Sequence, residues 1–240
     1  MDTKLAYLED NYLKETTGKV LFNEFTDLIV DNSVFFPTGE GQPNDRGKIV
    51  IEGKEYEIID TWNDGTGVHL ISHDTYPENI KGKEVKQYID WSVRYGHMKF
   101  RTALRIITGI AYRDYKAANR INQTYDDQAW VDLEIPEINE EIVKKIETET
   151  NEIIKKGVNV EFVYRDRNSV LLDNDLMTIS RGNIPDFPNI RLVKIGDLPY
   201  QIDRGTHVRN TSEVGTVNFK TTLIKGKVSK RVIITLSDKK

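Results

Sequence analysis

The spacing of apolar residues changes partway along the chain. Up to about residue 90, short segments rich in β-forming residues alternate with turn signals, at 19–25, 28–30, 48–51, 56–59 and 67–71. The turn-prone Glu52-Gly53-Lys54-Glu55 joins the third and fourth of these segments, as in a hairpin. Several short strands separated by Gly, Asn and Asp turns are typical of a small barrel, which we predict for this part.

From residue 91 the apolar period becomes helical. Residues 94–113 and 137–156 place apolar side chains at helical spacing, and Gly157 after two lysines is a helix stop. Further strands are predicted at 132–135, 158–163, 216–219 and 232–236. The pattern predicts an α+β protein, with an all-β N-terminal part followed by an α+β part. We place the boundary in the charged stretch 78–87, which gives domains 1–88 and 89–240.

Composition narrows the class of protein. The 240 residues include 34 basic and 38 acidic side chains and no cysteine, and 38% are hydrophobic. This balance is typical of a globular chain, and the lack of cysteine excludes disulfides, a thiolate nucleophile and a Cys-rich zinc module. No apolar run is long enough to span a bilayer and the N-terminus lacks a signal pattern, so we expect a cytoplasmic protein.

Basic residues are concentrated in two stretches although the net charge is −4. Residues 94–120 hold seven basic side chains and one acid, with aromatic residues interleaved, and 220–231 hold a second basic run. One interpretation is the solvated faces of a helix and a hairpin. The other is a surface that binds phosphates. In the second interpretation the contributing residues include Arg94, Lys99, Arg113, Lys116 and Arg120.

Three segments resemble one family. Residues 36–47 (FPTGEGQPNDRG), 90–105 (DWSVRYGHMKFRTALR) and 205–215 (GTHVRNTSEVG) are similar to the glycine-rich loop, the helix motif and the G-T-H-V-x-N-T-x-E-x-G segment of free-standing alanyl-tRNA editing proteins of the AlaX type. Residues 7–13 and 122–136 also fit, in the right order. The loop lacks the GK[ST] ending of a nucleotide P-loop, and by composition alone it is a tight connection.

The resemblance implies a fold and an activity. The implied fold is an N-terminal β-barrel followed by an α+β editing domain of the threonyl- and alanyl-tRNA synthetase type. The implied activity is hydrolysis of serine or glycine wrongly attached to alanine tRNA. The family uses a zinc ion held by two histidines one helical turn apart and by a cysteine and a histidine four residues apart. We expect alanine tRNA as the partner, and neither DNA nor a membrane.

The expected zinc ligands are mostly replaced. The helix positions are Arg101 and Arg105, the cysteine position is Asp203, and only His207 matches. Arginine has no lone pair for a metal, so we expect no tightly bound zinc, and His97 is a weaker substitute ligand. Two arginines, one aspartate and a neutral histidine carry the same charge, +1, as zinc with one thiolate and three imidazoles. We therefore predict that Arg101, Arg105 or both pair with Asp203 where the metal would lie.

Three functional hypotheses follow. In the first, a working deacylase, His207 is a general base or else a buried structural residue. Gln123 and Thr102 position water or the amino acid. Arg101 or Arg105 stabilises an oxyanion or holds the terminal ribose-phosphate. The other predicted substrate-binding residues are Gly39, Gly41, Gln42 and Thr206. The second hypothesis is a non-catalytic descendant that binds tRNA or a protein partner. The third is a changed substrate, such as another aminoacyl ester or a carboxylated ligand held by the two arginines.

Overall fold

The computed structural model describes residues 3–224 and 227–237, except for the side chains of 119–120 and 222–229. The chain divides into two compact units, Met1–His97 and Met98–Lys240. The first unit contains β1 (Lys4–Leu5), α1 (Ala6–Glu9), β2 (Glu15–Glu24), β3 (Asp27–Val30), β4 (Asn32–Ser33), β5 (Gly47–Ile51), β6 (Lys54–Asn63), β7 (Val68–Ser72) and β8 (Glu84–Ile89). The helix α2 (Trp91–Tyr115) begins in the first unit and continues into the second.

Besides most of α2, the second unit contains two antiparallel sheets and four further helical segments among its described residues. Its elements are β9 (Asn119–Thr124), β10 (Ala129–Leu133), α3 (Glu140–Lys156), β11 (Val160–Asp166), α4 (Arg167–Leu171), α5 (Asn174–Ile179), β12 (Asn189–Ile195), β13 (Gln201–Ile202), the 3-10 turn η1 (Thr211–Glu213), β14 (Thr216–Ile224) and β15 (Lys227–Ser237). One sheet has the order β14-β15-β10-β9 and the other β11-β12-β13.

Six strands of the first unit form a closed barrel in the order β2-β3-β7-β6-β5-β8, with β8 pairing back to β2. Side chains alternate between the barrel interior and solvent, so Ile49, Ile51, Tyr56 and Ile58 are buried in the same apolar core. Gly47 lets two strands approach closely, because a Cβ there would lie 2.1 Å from the carbonyl oxygen of Tyr88. The predicted barrel and the mixed α+β class are therefore confirmed.

Strand β8 was not predicted from the sequence. Its charged residues Glu84 and Lys86 suggested a boundary, yet they alternate with the buried Val85, Gln87 and Ile89. This is the two-residue period of a strand with one wet face. The strand closes the barrel and occupies part of the stretch in which we placed the domain boundary.

Helix α3 matches its sequence signals closely. It begins after Asn139, whose side chain accepts a hydrogen bond from the backbone of Ile142, and it ends at Gly157 with a φ of 70°. Acidic residues lie in the first turn and lysines in the last, as the helix dipole favours. The helix packs its apolar side inward through residues that include Val143, Ile146 and Ile154.

The paired strands β14 and β15 confirm the predicted C-terminal hairpin. The middle of its turn, Lys225 and Gly226, lies outside the described residues. The strands β9, β12 and β13 and the helices α4 and α5 were missed. Among the described residues, no helix has both the length and the apolar character needed to cross a membrane.

Candidate functional site

The helix α2 carries the first half of the predicted site inside the second unit. Arg101, Thr102 and Arg105 all lie on its buried stretch, where every residue from 101 to 112 is buried. The spacing of four residues places the two arginines one above the other on the same face. A third residue, Thr108, lies on the same face of the helix and is 3% exposed.

The segment after β13 carries the second half. Gln201, in β13, accepts a hydrogen bond from the Thr108 hydroxyl at 2.6 Å and donates from its amide to the Arg105 carbonyl at 2.7 Å. These bonds tie the strand to α2 just before Asp203. As a result the carboxylate of Asp203, which is 0% exposed, meets the arginines of the helix.

Asp203 is bound by both arginines. The Nε and Nη2 atoms of Arg101 donate to its Oδ1 at 2.9 and 2.6 Å, and Nε of Arg105 donates to its Oδ2. The backbone N–H of Gly205 adds a bond of 2.6 Å to Oδ1. Burial raises the pKa of Asp203, but the charges of Arg101 and Arg105 outweigh it and hold that pKa well below its ordinary value. The predicted ion pair is present, and it involves both arginines.

His207 completes the cluster. Its Nε2 lies 3.0 Å from Oδ2 of Asp203, and its Nδ1 lies 3.1 Å from the Thr102 hydroxyl. Burial is the main cause that lowers its pKa to about 4, although the negative charge of Asp203 opposes this. The ring is therefore neutral near pH 7. Because Asp203 is ionised, we assign the ring proton to Nε2, so that Nδ1 accepts a hydrogen bond from Thr102.

Arg191 is a further member of the cluster that the sequence did not point to. Its Nη1 donates to the carbonyl oxygens of Asp203 and Gly205 at 3.1 and 2.8 Å. Its guanidinium lies 3.7 Å from the centre of the Phe162 ring, which in turn lies 5.9 Å from the His207 ring. No sequence signal could have found it, because it lies on β12, outside the three motifs.

Gly205 is required by the packing of Arg101. A Cβ at position 205 would lie 1.9 Å from Nε of Arg101. The glycine of the GTHV motif therefore makes room for Arg101, at a position where the family resemblance implied a zinc ligand. Thr206, predicted to bind substrate, is 0% exposed between this glycine and His207.

The cluster does not fit a zinc ion. Arg101 and Arg105 are protonated and have no lone pair to offer. The two oxygens of Asp203 are engaged by guanidinium and backbone N–H donors, and the His207 nitrogen nearest to it faces the same carboxylate. Within residues 3–224 and 227–237, no three His, Cys, Asp or Glu side chains come together as a metal site. The donor set is thus that of a buried ion-pair cluster.

The remaining predicted site residues lie elsewhere. The side-chain amide of Gln123 donates to the backbone oxygen of Thr124 at 3.1 Å, and among the described contacts none joins Gln123 to the cluster. Gly39 and Gln42 exchange backbone hydrogen bonds of 3.1 and 2.8 Å in a tight turn of the first unit, and Gly41 between them has a φ of 75°. Their predicted contact with substrate stays a prediction.

The predicted basic surface needs a correction. Arg94 is 0% exposed and paired with Asp45, so it cannot contact phosphates from the surface. Arg113 and Lys116 are exposed, Arg113 in ion pairs with Asp114 and Glu149 and Lys116 over the Tyr112 ring. The sequence could not separate these residues because buried and exposed arginines share one helix. Lys99 is half-buried, and the side chain of Arg120 lies outside the described residues.

Comparison with known proteins defines the class. Residues 190–233, which include Asp203 and His207, match the family model described as the threonyl and alanyl tRNA synthetase second additional domain. The chain is 32% identical over 235 residues to "Alanyl-tRNA editing protein AlaX-M" of Saccharolobus solfataricus, a match that covers 98% of this chain and 99% of that protein. The chain therefore belongs to the family of alanyl-tRNA editing proteins.

Two other relatives support this family assignment. "Alanyl-tRNA editing protein AlaX-M" of Methanosarcina barkeri is 32% identical over 98% of this chain and 100% of its own length. "Alanine--tRNA ligase" of Hyperthermus butylicus is 31% identical over 90% of this chain, which corresponds to 24% of the ligase. The likeness to the editing proteins extends over both compact units, as the sequence motifs predicted.

Proposed function

We propose that this chain acts in trans as an aminoacyl-tRNA deacylase that hydrolyses serine or glycine from wrongly charged alanine tRNA, and that it does so without zinc. The observation that supports the activity most directly is the likeness to AlaX-M over 98% of the chain. Metal independence is supported by the cluster at the ligand positions, whose arginines cannot bind zinc. We also propose a cytoplasmic location, which is consistent with a tRNA substrate.

In this reaction water adds to the carbonyl carbon of the ester. The tetrahedral intermediate then breaks to release the amino acid and the hydroxyl of the terminal ribose. Without a metal, catalysis rests on orientation of the ester and on stabilisation of the developing oxyanion. Such a reaction needs donors that are fixed before the substrate arrives, and a buried ion-pair cluster supplies a rigid frame for them.

The geometry favours a positioning role for His207 over that of a general base. Its side chain is 0% exposed, its pKa is lowered to about 4, and its Nδ1 is engaged by Thr102. A general base at neutral pH needs a pKa nearer 7 and a nitrogen that reaches water. In our proposal His207 fixes the Thr102 hydroxyl, and Asp203 fixes His207. Gln123 keeps its predicted role of positioning water or the amino acid.

The test is deacylation of Ser-tRNA and Gly-tRNA of the alanine type, each with added zinc and with a chelator. We expect turnover that is equal in both conditions, and we expect correctly charged Ala-tRNA to be spared. Thr102→Val and His207→Gln should reduce turnover, and His73→Gln, at an exposed position, is the matched control. Turnover that requires added zinc would contradict the proposal.

A second candidate is a non-catalytic tRNA-binding protein. It is favoured by one observation, that Arg101 and His207 both contact Asp203 and that all three residues are buried. In this case the same assay gives no deacylation, but the protein binds alanine tRNA in a salt-dependent manner. Replacing the exposed Lys116 with Gln should then lower the salt slope by about one unit, while Arg94→Lys should leave it unchanged.

A further inference from the structure

Arg101 and Arg105 both bind Asp203, but Arg105 uses fewer of its N–H donors to do so. Its Nε donates to Asp203, and among the described residues this is the one partner of its side chain. The side chain is 7% exposed. Its terminal nitrogens, Nη1 and Nη2, have no partner among the described residues and are not fully buried, so they reach solvent. A side chain that is more than nine-tenths buried thus ends in free, charged N–H donors.

Arg101 has no such freedom. Its Nε and Nη2 both bind Asp203, and the residue is 1% exposed. Arg101 therefore binds the Asp203 carboxylate through two of its nitrogens, whereas Arg105 binds it through Nε alone. Because Nε of Arg105 is fixed, the outward-facing edge of its guanidinium is fixed as well. This is preorganisation of a fork of two parallel donors.

The charge around this fork is positive. Arg101, Arg105 and Arg191 contact Asp203, by side chain or by backbone oxygen, and His207 is neutral. The side chains that meet the Asp203 carboxylate, those of Arg101, Arg105 and the neutral His207, bring two positive charges to its one negative charge, which leaves +1 in a buried place. Buried charge is costly unless a partner of opposite sign accompanies it. A cation or a neutral ligand would leave this excess uncompensated, whereas an anion would reduce it.

We propose that the terminal nitrogens of Arg105 bind an oxyanion with two adjacent oxygens, as found in a carboxylate or a phosphate. Planar bidentate recognition of such groups is the geometry to which a guanidinium is suited. The choice of sources rests on the proposed function: the oxyanion is either the carboxylate of the amino acid that the reaction releases or a phosphate near the terminal ribose. The binding itself is measurable without tRNA and without turnover.

The experiment is calorimetric titration of the full chain at constant ionic strength with acetate, L-serine and inorganic phosphate as probes. L-Serinamide, which lacks the carboxylate, is the matched control ligand. Each probe is titrated into wild type, Arg105→Gln and Arg105→Lys. The control variant is Arg181→Gln, which removes an exposed arginine of the second unit that belongs to neither the cluster nor the predicted basic surface.

We expect saturable binding to wild type and to Arg181→Gln, no binding of L-serinamide, and affinity reduced at least about tenfold in Arg105→Gln. Arg105→Lys keeps the charge but loses the fork, and should bind at an intermediate level. Stronger binding of L-serine than of phosphate assigns the site to the amino acid product, and the reverse assigns it to the tRNA backbone.

Two results would overturn the proposal: wild type that binds none of the three anions, or Arg105→Gln and Arg105→Lys that bind as wild type does. If Arg105→Gln does not fold, the side-chain Nε signal of Arg105 in wild type, identified by its absence from the Arg105→Lys spectrum, decides the question. It should shift saturably with the bound anion, and an unchanged signal overturns the proposal. Anion binding without deacylation would reject the proposed function and leave this inference standing.

Discussion

Helix α2 carries buried arginine–carboxylate contacts in each of the two units, and the two sets differ in stoichiometry. In the first unit Arg94 meets one aspartate, Asp45, and both are 0% exposed. In the second unit Arg101 and Arg105 share one aspartate, Asp203. The same residue types thus form a balanced pair in one place and an excess of positive charge in the other.

In the balanced pair every nitrogen of Arg94 has a partner. Nε of Arg94 donates to both oxygens of Asp45, Nη1 donates to the carbonyl of Asn11 at 3.1 Å, and Nη2 donates to the carbonyl of Val34 at 2.8 Å. Asp45 also accepts the backbone N–H of Phe36 at 2.7 Å. The pair therefore fixes the glycine-rich loop to the start of α2, and its role is structural. A buried arginine with every nitrogen satisfied holds the fold, whereas one with free terminal nitrogens is ready for a ligand.

The largest predicted effect is that of Asp203→Asn. The change leaves two buried guanidinium groups without their carboxylate, so we expect a loss of about 3–5 kcal/mol in the free energy of unfolding. Urea unfolding followed by circular dichroism measures it. Asp132→Asn breaks a more exposed pair with Arg231 and should cost less than about 1 kcal/mol. Equal losses in the two variants would show that the cluster is not a buried ion-pair system.

Asp45→Asn tests the other side of the comparison. One guanidinium loses its partner and the loop loses its tie to α2, so we expect a loss near the lower end of the same range, about 3 kcal/mol. The same urea titration measures it. The variant should bind acetate, L-serine and phosphate as wild type does, because Arg94 is not a ligand site. Altered anion binding would remove the distinction between the two arginine systems.

The pH dependence of stability should carry the signature of His207. Folding lowers its pKa from 6.5 to about 4, so the unfolded chain binds more protons between these values. Stability is therefore full above pH 6.5 and falls toward pH 4, by roughly 3 kcal/mol in total. The lowered pKa of Asp203 acts at lower pH, because its contribution is lost only as pH falls through its folded value.

Unfolding free energies at pH 7 and pH 5 measure this slope. His207→Gln should flatten it, and His73→Gln, at an exposed site, should leave it as in wild type. A wild-type slope that persists in His207→Gln would assign the effect to other groups.

Gly205→Ala probes the packing of the cluster with one methyl group. The added Cβ would overlap Nε of Arg101, so the arginine must move away from Asp203. We expect a loss of about 1–3 kcal/mol in thermal or urea unfolding. Gly96→Ala, on α2 in the first unit with no neighbour within 4 Å of the new Cβ, should instead be neutral or stabilise by about 1 kcal/mol. Similar losses in both variants would contradict the steric role of Gly205 beside Arg101.

The smallest predicted effect is that of adding or removing zinc on thermal stability. Because neither arginine system offers a metal site, added zinc or a chelator should leave the thermal midpoint of the protein unchanged. Elemental analysis of the purified protein should find zinc well below one equivalent. A midpoint that rises with zinc in wild type but not in Asp203→Asn would contradict the absence of a metal site.

The sequence alone determined a large part of this protein. Segments rich in β-forming residues and the turns between them predicted the barrel, and helical period, two lysines and a terminal glycine predicted α3, because these signals are local. The motif departures at 101, 105 and 203 predicted the ion pair, since charge and lone pairs are properties of residue type. Strand β8 was missed because its wet face resembles a charged linker.

Tertiary structure decided which charges are buried and which donors are used. Arg94, Arg105 and Arg113 lie on one helix and cannot be told apart from sequence alone. In the structure Arg94 has a partner at every nitrogen, Arg105 ends in free nitrogens and Arg113 is exposed. Arg191 joined the cluster from a strand outside every motif. Burial and hydrogen-bond saturation depend on partners distant in sequence, such as Asp203 some hundred residues from Arg101. For that reason no local pattern could assign the roles of the three arginines.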